Sequence, residues 1–194
     1  MASPYVPLAP EVDAFRRQVE DVALALCTLA DSLTDEQFAW RPAPEAWSIE
    51  DCIEHLNAVA RLYLPVIDDG IADTVGKSLY SGGPFRYNLL GRALVWFTEP
   101  PPRLRLRTRV AYVPGPKRPR TQVMAGFRAF QVQYVDRLRQ ASGLHLARGR
   151  ARTPMLPWLR VPLGSAFALA IAHERRHLWQ ARRIAAHPQF PPHR

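Results

Sequence analysis

The apolar residues Val12, Phe15, Val19, Val22, Leu26, Leu29 and Leu33 follow one another at steps of 3, 4, 3, 4, 3 and 4. Alternating steps of three and four keep side chains on one narrow face of a helix with 3.6 residues per turn. A helix with such a seam cannot bury it alone, so the chain is constrained to a packed set of helices. A second seam, Ile49, Ile53, Leu56, Ala60, Tyr63 and Ile67, repeats the spacing. Before it, Ser48 can cap a helix, Asp51 stands at the capping-box position, and Trp47 can staple against Cys52. Pro65 is expected to kink the last turn of this helix and Gly70 to end it. Helical spacing returns at Val123, Phe127, Phe130, Tyr134 and Leu138, and again at Leu163, Ala166, Ala170, His173, His177 and Ile184. The predicted helices are 11–33, 48–69, 121–142 and 163–186, followed by a frayed tail, 187–194.

Between the second and third helices, residues 71–121 break the pattern, with Gly82, Gly83 and Pro84 followed by six prolines and seven basic residues from Glu99 to Arg120. The alternation from Arg103 to Val110 fits an edge strand and a solvated extended loop equally. A shorter link to the fourth helix holds Pro154, Pro157 and Pro162. The pattern predicts an all-α four-helix bundle with one long crossover. At 194 residues the expectation is a single domain, 1–194. The longest wholly uncharged apolar stretch, Val161 to Ala172, is too short to span a bilayer, so no membrane partner is expected. The first ten residues carry three prolines and no basic segment, unlike a secretory signal, which makes a cytoplasmic location the default expectation. Cys27 and Cys52 form no C-x-x-C pair and read as reduced thiols.

Charge is unevenly divided. Residues 1–100 hold 7 Lys+Arg against 15 Asp+Glu, net −8, and residues 101–194 hold 19 against 2, net +17. Such asymmetry raises the question of a nucleic-acid partner. An acidic half folding against a basic half accounts for it equally. No readout motif accompanies the arginines of 103–120, so direct nucleic-acid binding is not the expected function.

The chemistry concentrates in His173, Glu174, Arg175, Arg176 and His177. Two imidazoles four residues apart share one helical face, the spacing a rigid helix needs to chelate a metal. Both lie on the row that should face the core, where two imidazoles need a partner. The string is a literal H-E-x-x-H, yet Arg183 stands where a third ligand of a zinc protease would follow, and no acidic residue occurs after Glu174. A protease is therefore excluded as the expected reading. A third ligand must come from another helix, and His55, in the row Cys52, His55, Val59, Leu62 and Val66, is the candidate. His145, His187 and His193 fall in a link or the tail.

The stretch from Pro44 to Leu56 (PEAWSIEDCIEHL), together with His173 to Gln180 (HERRHLWQ), resembles the DinB/YfiT-like superfamily of metalloenzymes. The resemblance covers most of the chain in helix order and spacing, with these two motifs its specific part. It implies an up-down-down-up bundle, homodimers, and zinc or nickel held by His55, His173 and His177. It also implies transferase or isomerase chemistry with a low-molecular-weight thiol, or hydrolysis. Three histidines leave a coordination position open, as catalytic sites do. Glu174 is the candidate catalytic acid or base, with Asp51, Glu54 and Gln180 as further orienting groups. Cys52 reads as a small core residue one turn from His55. Arg105, Arg107 or Arg109 could meet an anionic substrate at such a site. The reading is a divalent-metal-binding protein, a thiol- or water-activating transferase or hydrolase acting on a small molecule. A non-catalytic metal-binding bundle and a basic nucleic-acid-binding protein are the alternatives.

Overall fold

A computed structural model of the protein describes residues 7–103, 118–153 and 156–192. The Arg103 to Val110 alternation, including Arg105, Arg107 and Arg109, lies almost wholly outside the described residues, as does His193. The described chain is mostly helical with one two-stranded sheet: α1 (Pro10–Asp31), α2 (Asp35–Ala39), α3 (Ile49–Gly76), α4 (Leu89–Thr98), α5 (Arg120–Ala141), β1 (Arg150–Thr153), β2 (Leu156–Pro162) and α6 (Leu163–Ala185).

The long helices form where the apolar seams predict. In α1, Val12, Phe15, Val19, Val22 and Leu26 are buried, and in α3 all six seam residues from Ile49 to Ile67 are buried. Ser48 caps α3 as expected: its hydroxyl accepts from the Asp51 amide at 3.0 Å, and the Asp51 carboxylate accepts from the Ser48 amide at 2.8 Å. α1 and α3 each pack on both α5 and α6, so four seams close around one interior. Two apolar clusters fill it, one around Phe15, Ile67, Leu138 and Phe167, the other around Leu26, Phe38, Ile53 and Phe127. Each such side chain taken from water contributes about 1.5–3 kcal/mol.

The structure corrects or extends the sequence reading in five places. The second helix does not stop at 69. Pro65 lies inside α3, and the helix continues through Gly70 to Gly76 because Ile67, Ile71 and Thr74 remain buried beyond it. Gly70 serves close packing: a Cβ there would stand 3.0 Å from Ala151 Cβ and 3.2 Å from Leu163 Cδ1. A short α2, capped at its N-terminus by the reciprocal Thr34–Gln37 box, fills part of the link after α1. The crossover holds α4, capped by Asn88 and packed along α6.

The proline-bearing link before α6 is an antiparallel hairpin, with Arg150 opposite Pro162, Ala151 opposite Val161 and Arg152 opposite Arg160. A two-stranded ribbon is all edge, so proline costs it no interior ladder bond. The fold is thus not purely α. The tail is not frayed over its described part either: the rings of His187 and Phe190 lie 5.4 Å from Trp40, and Gln37 Nε2 donates to the Pro191 carbonyl at 2.8 Å.

The two charge blocks meet across the fold. Arg120 pairs with Asp35 at 2.8 Å, Arg137 with Asp68 at 2.8 Å, Arg128 with Asp31 at 3.3 Å, and Arg175 with Glu99. No described helix is long and apolar enough to cross a membrane.

Candidate metal centre

His55 sits two turns into α3, just past its cap, and His173 and His177 sit one turn apart on α6. Because α3 packs against α6, the three side chains converge, and each offers a nitrogen within 4.8 Å of those of the other two. His55 Nε2 and His173 Nε2 are 3.0 Å apart. Ring centroids lie 5.1 Å apart for His55 and His173, and 4.6 Å for each of the other two pairs. His55 and His177 are buried, and His173 is partly buried.

Burial keeps the imidazoles of His173 and His177 neutral. Burial pushes the His173 pKa down to about 3, with His55 and Arg176 adding to the shift. Burial also drives His177 well below its ordinary value, assisted by His173, His55 and Arg176, while Gln180 acts in the opposite sense. Nδ1 of His177 is buried without a hydrogen-bond partner of acceptable geometry. The neutral imidazole is the protonation state a metal requires.

The donor set fits a divalent ion. Nitrogens about 2.0–2.1 Å from one zinc ion stand roughly 3–3.4 Å from each other, and the His55–His173 separation falls in that range. Among the described residues, His55, His173 and His177 are the group of His, Cys, Asp or Glu side chains close enough to share an ion.

The surrounding shell differs in part from the sequence expectation. Asp51 is occupied by the Ser48 cap and by Arg41, whose Nη2 lies 2.9 Å from Asp51 Oδ1. Glu54 accepts from Arg61 at 2.7 Å and from Asn57 at 3.0 Å, an arrangement tied to α5 through the Asn57 bond to the Val123 carbonyl. Cys52 is wholly buried in the apolar core, which pushes its thiol far up and leaves it inert. Glu174 is buried on α6, where Gln131 Nε2 of α5 donates to its Oε1 at 2.8 Å. Its Oε2 has no partner, and burial raises its pKa to about 7 against the lowering effects of Gln131 and Arg175.

Trp47 is the residue whose role the sequence understated. Its ring lies 4.9 Å from that of His55 and is stacked on His177 at 5.8 Å and 21°. It walls the histidine cluster as well as packing against the apolar cluster that holds Ile53 and Phe127. Its place immediately before the Ser48 cap was the available signal. Gln131, the partner of Glu174, gave none, because a polar residue on α5 cannot be assigned a facing element from sequence.

Comparison with known proteins agrees with the motifs. A family model described as the DinB superfamily matches residues 18–181, from within α1 through most of α6 and including all three histidines. No curated protein and no solved structure matches the chain. The chain belongs to the DinB superfamily.

Proposed function

We propose that the protein binds a divalent metal ion, zinc or nickel, through His55, His173 and His177, and that it is a metal-dependent transferase or hydrolase. The observation that carries this reading is the convergence of three buried or partly buried imidazole nitrogens from two helices within 4.8 Å. A bound ion of this kind lowers the pKa of a coordinated water or thiol, supplying a nucleophile near neutral pH.

The chain's own residues hold the rest of the site in place. The Ser48–Asp51 box fixes the first turn of α3 and thereby the position of His55. Trp47 covers two of the rings and limits water. Glu174, with one free carboxylate oxygen and a pKa near neutrality, is the group suited to hold or move a proton. The family assignment supports an up-down-down-up four-helix arrangement, a thiol cosubstrate and a homodimer as the finer parts of this proposal.

Metal analysis of purified protein tests it first. Wild type is expected to hold about one equivalent of zinc or nickel and His173→Ala far less; unchanged stoichiometry in the variant would overturn the ligand assignment. Screening small thiols with electrophilic substrates, with and without chelator, then separates an enzyme from a metal-binding bundle without turnover.

A further inference from the structure

Apart from Arg92 and Thr98, every residue of α4, Leu-Leu-Gly-Arg-Ala-Leu-Val-Trp-Phe-Thr, is apolar or glycine, yet only one side of the helix is covered. Gly91 packs so tightly on α6 that an added Cβ would meet Ser165 Oγ at 2.4 Å, while Leu89 is 78% exposed, Trp96 53%, and Leu90 and Phe97 45% each. Large apolar side chains on the uncovered side of a surface helix are normally buried against a neighbour. The neighbouring hairpin, whose β2 touches α4, extends the surface with Trp158 at 77% exposure.

The charged residues on α4 and the hairpin strands have one sign. Arg86, Arg92 and Arg103 on the α4 side, and Arg148, Arg150, Arg152 and Arg160 on the hairpin side, are all exposed. Arg103 lies over the Trp96 ring at 3.9 Å. Of the acidic groups on neighbouring segments, Glu99 pairs with Arg175 and Asp73 with Lys77. In the sequence no acidic residue separates Glu99 from Asp136, or Asp136 from Glu174.

We infer that this face of α4 and the hairpin docks on an anionic lipid surface. Exposed Trp, Phe and Leu flanked by arginines are what an interfacial helix needs, with the rings and aliphatic chains entering the headgroup boundary and the guanidinium groups meeting lipid phosphates. A second copy of the chain is a poor occupant, since a two-fold contact sets Arg92, Arg103 and Arg160 against their own kind. A nucleic acid would satisfy the arginines but offers nothing for Leu89 and Leu90. The inference is independent of the metal proposal and revises the sequence expectation of no membrane partner, in the sense of lying on a bilayer rather than crossing one.

Co-sedimentation of the full chain with vesicles decides it. Binding is expected to phosphatidylcholine vesicles containing about one third phosphatidylglycerol, with at least a tenfold loss between 0.05 and 0.5 M salt and little binding to phosphatidylcholine alone. Trp96→Ser with Leu89→Ser, and separately Trp158→Ser on the hairpin, should each weaken binding tenfold or more while the circular dichroism spectrum is retained. The hairpin variant keeps the test valid if the α4 variant unfolds. Equal binding to neutral vesicles, no vesicle binding, or unchanged binding by both variants overturns the inference. So does concentration-dependent dimerisation that the same variants abolish, or salt-sensitive binding to single-stranded DNA with none to vesicles.

Discussion

His173 and Glu174 are adjacent in sequence and face opposite consequences of the same burial. For His173 the folded pKa is about 3 and the ordinary value 6.5, so between these the unfolded chain binds the extra proton. The metal-free protein should therefore hold this contribution in full above pH 6.5 and lose it as pH falls toward 3. Urea unfolding at pH 7 and pH 5 should show a smaller pH dependence for His173→Gln than for wild type. Glu174 has the reverse sign, because its folded pKa of about 7 lies above its ordinary 4.5. Its stability contribution is complete below pH 4.5 and disappears as pH rises through 7. Glu174→Gln, which keeps the Gln131 contact, should be more stable than wild type at pH 8 and no more stable at pH 4.5. Trp47, stacked on His177, should report the ion directly: metal addition is expected to change tryptophan fluorescence in wild type, and Trp47→Phe should remove most of that change.

Two glycines of α3 separate packing from propensity. Gly76 has nothing within 4 Å of where a Cβ would stand, so Gly76→Ala should stabilise the protein by about 0.4–1 kcal/mol through helix propensity and reduced freedom of the unfolded chain. Gly70→Ala gains the same propensity but drives a methyl to 3.0 Å from Ala151, and should cost about 1–3 kcal/mol net. Chemical denaturation of the two variants measures both. The opposite outcomes explain why Gly70 misleads as a helix terminator: its sequence neighbours permit a stop, and the hairpin packed against it supplies a different reason for glycine. The Ser48–Asp51 box, by contrast, is a local device, and it forms where the sequence places it.

Across the whole molecule, the proposed ligand set joins α3 to α6, so an ion held there would stabilise the fold itself and not one helix. At a free zinc concentration 100 times the dissociation constant the gain is about 2.7 kcal/mol, worth several degrees in melting temperature for a chain of this size. Scanning calorimetry should show that rise in wild type, its reversal by chelator, and its absence in His177→Ala. The uneven charge of the two halves also resolves at this scale: several arginines of the basic half meet carboxylates of the acidic half, such as Arg137 with Asp68 and Arg175 with Glu99. Partly exposed pairs of this kind add only about 1 kcal/mol each, so they account for the asymmetry more than for the stability. By itself the sequence determined the long helices, the Ser48 cap and the three histidines, because periodicity, capping and i, i+4 spacing act within a few residues. Only the tertiary structure decided the length of α3, the hairpin, the exposed face of α4, and the partners of Trp47, Asp51 and Glu174. Each of those depends on what a distant segment brings within van der Waals or hydrogen-bond reach, and spacing along one chain segment carries no record of that.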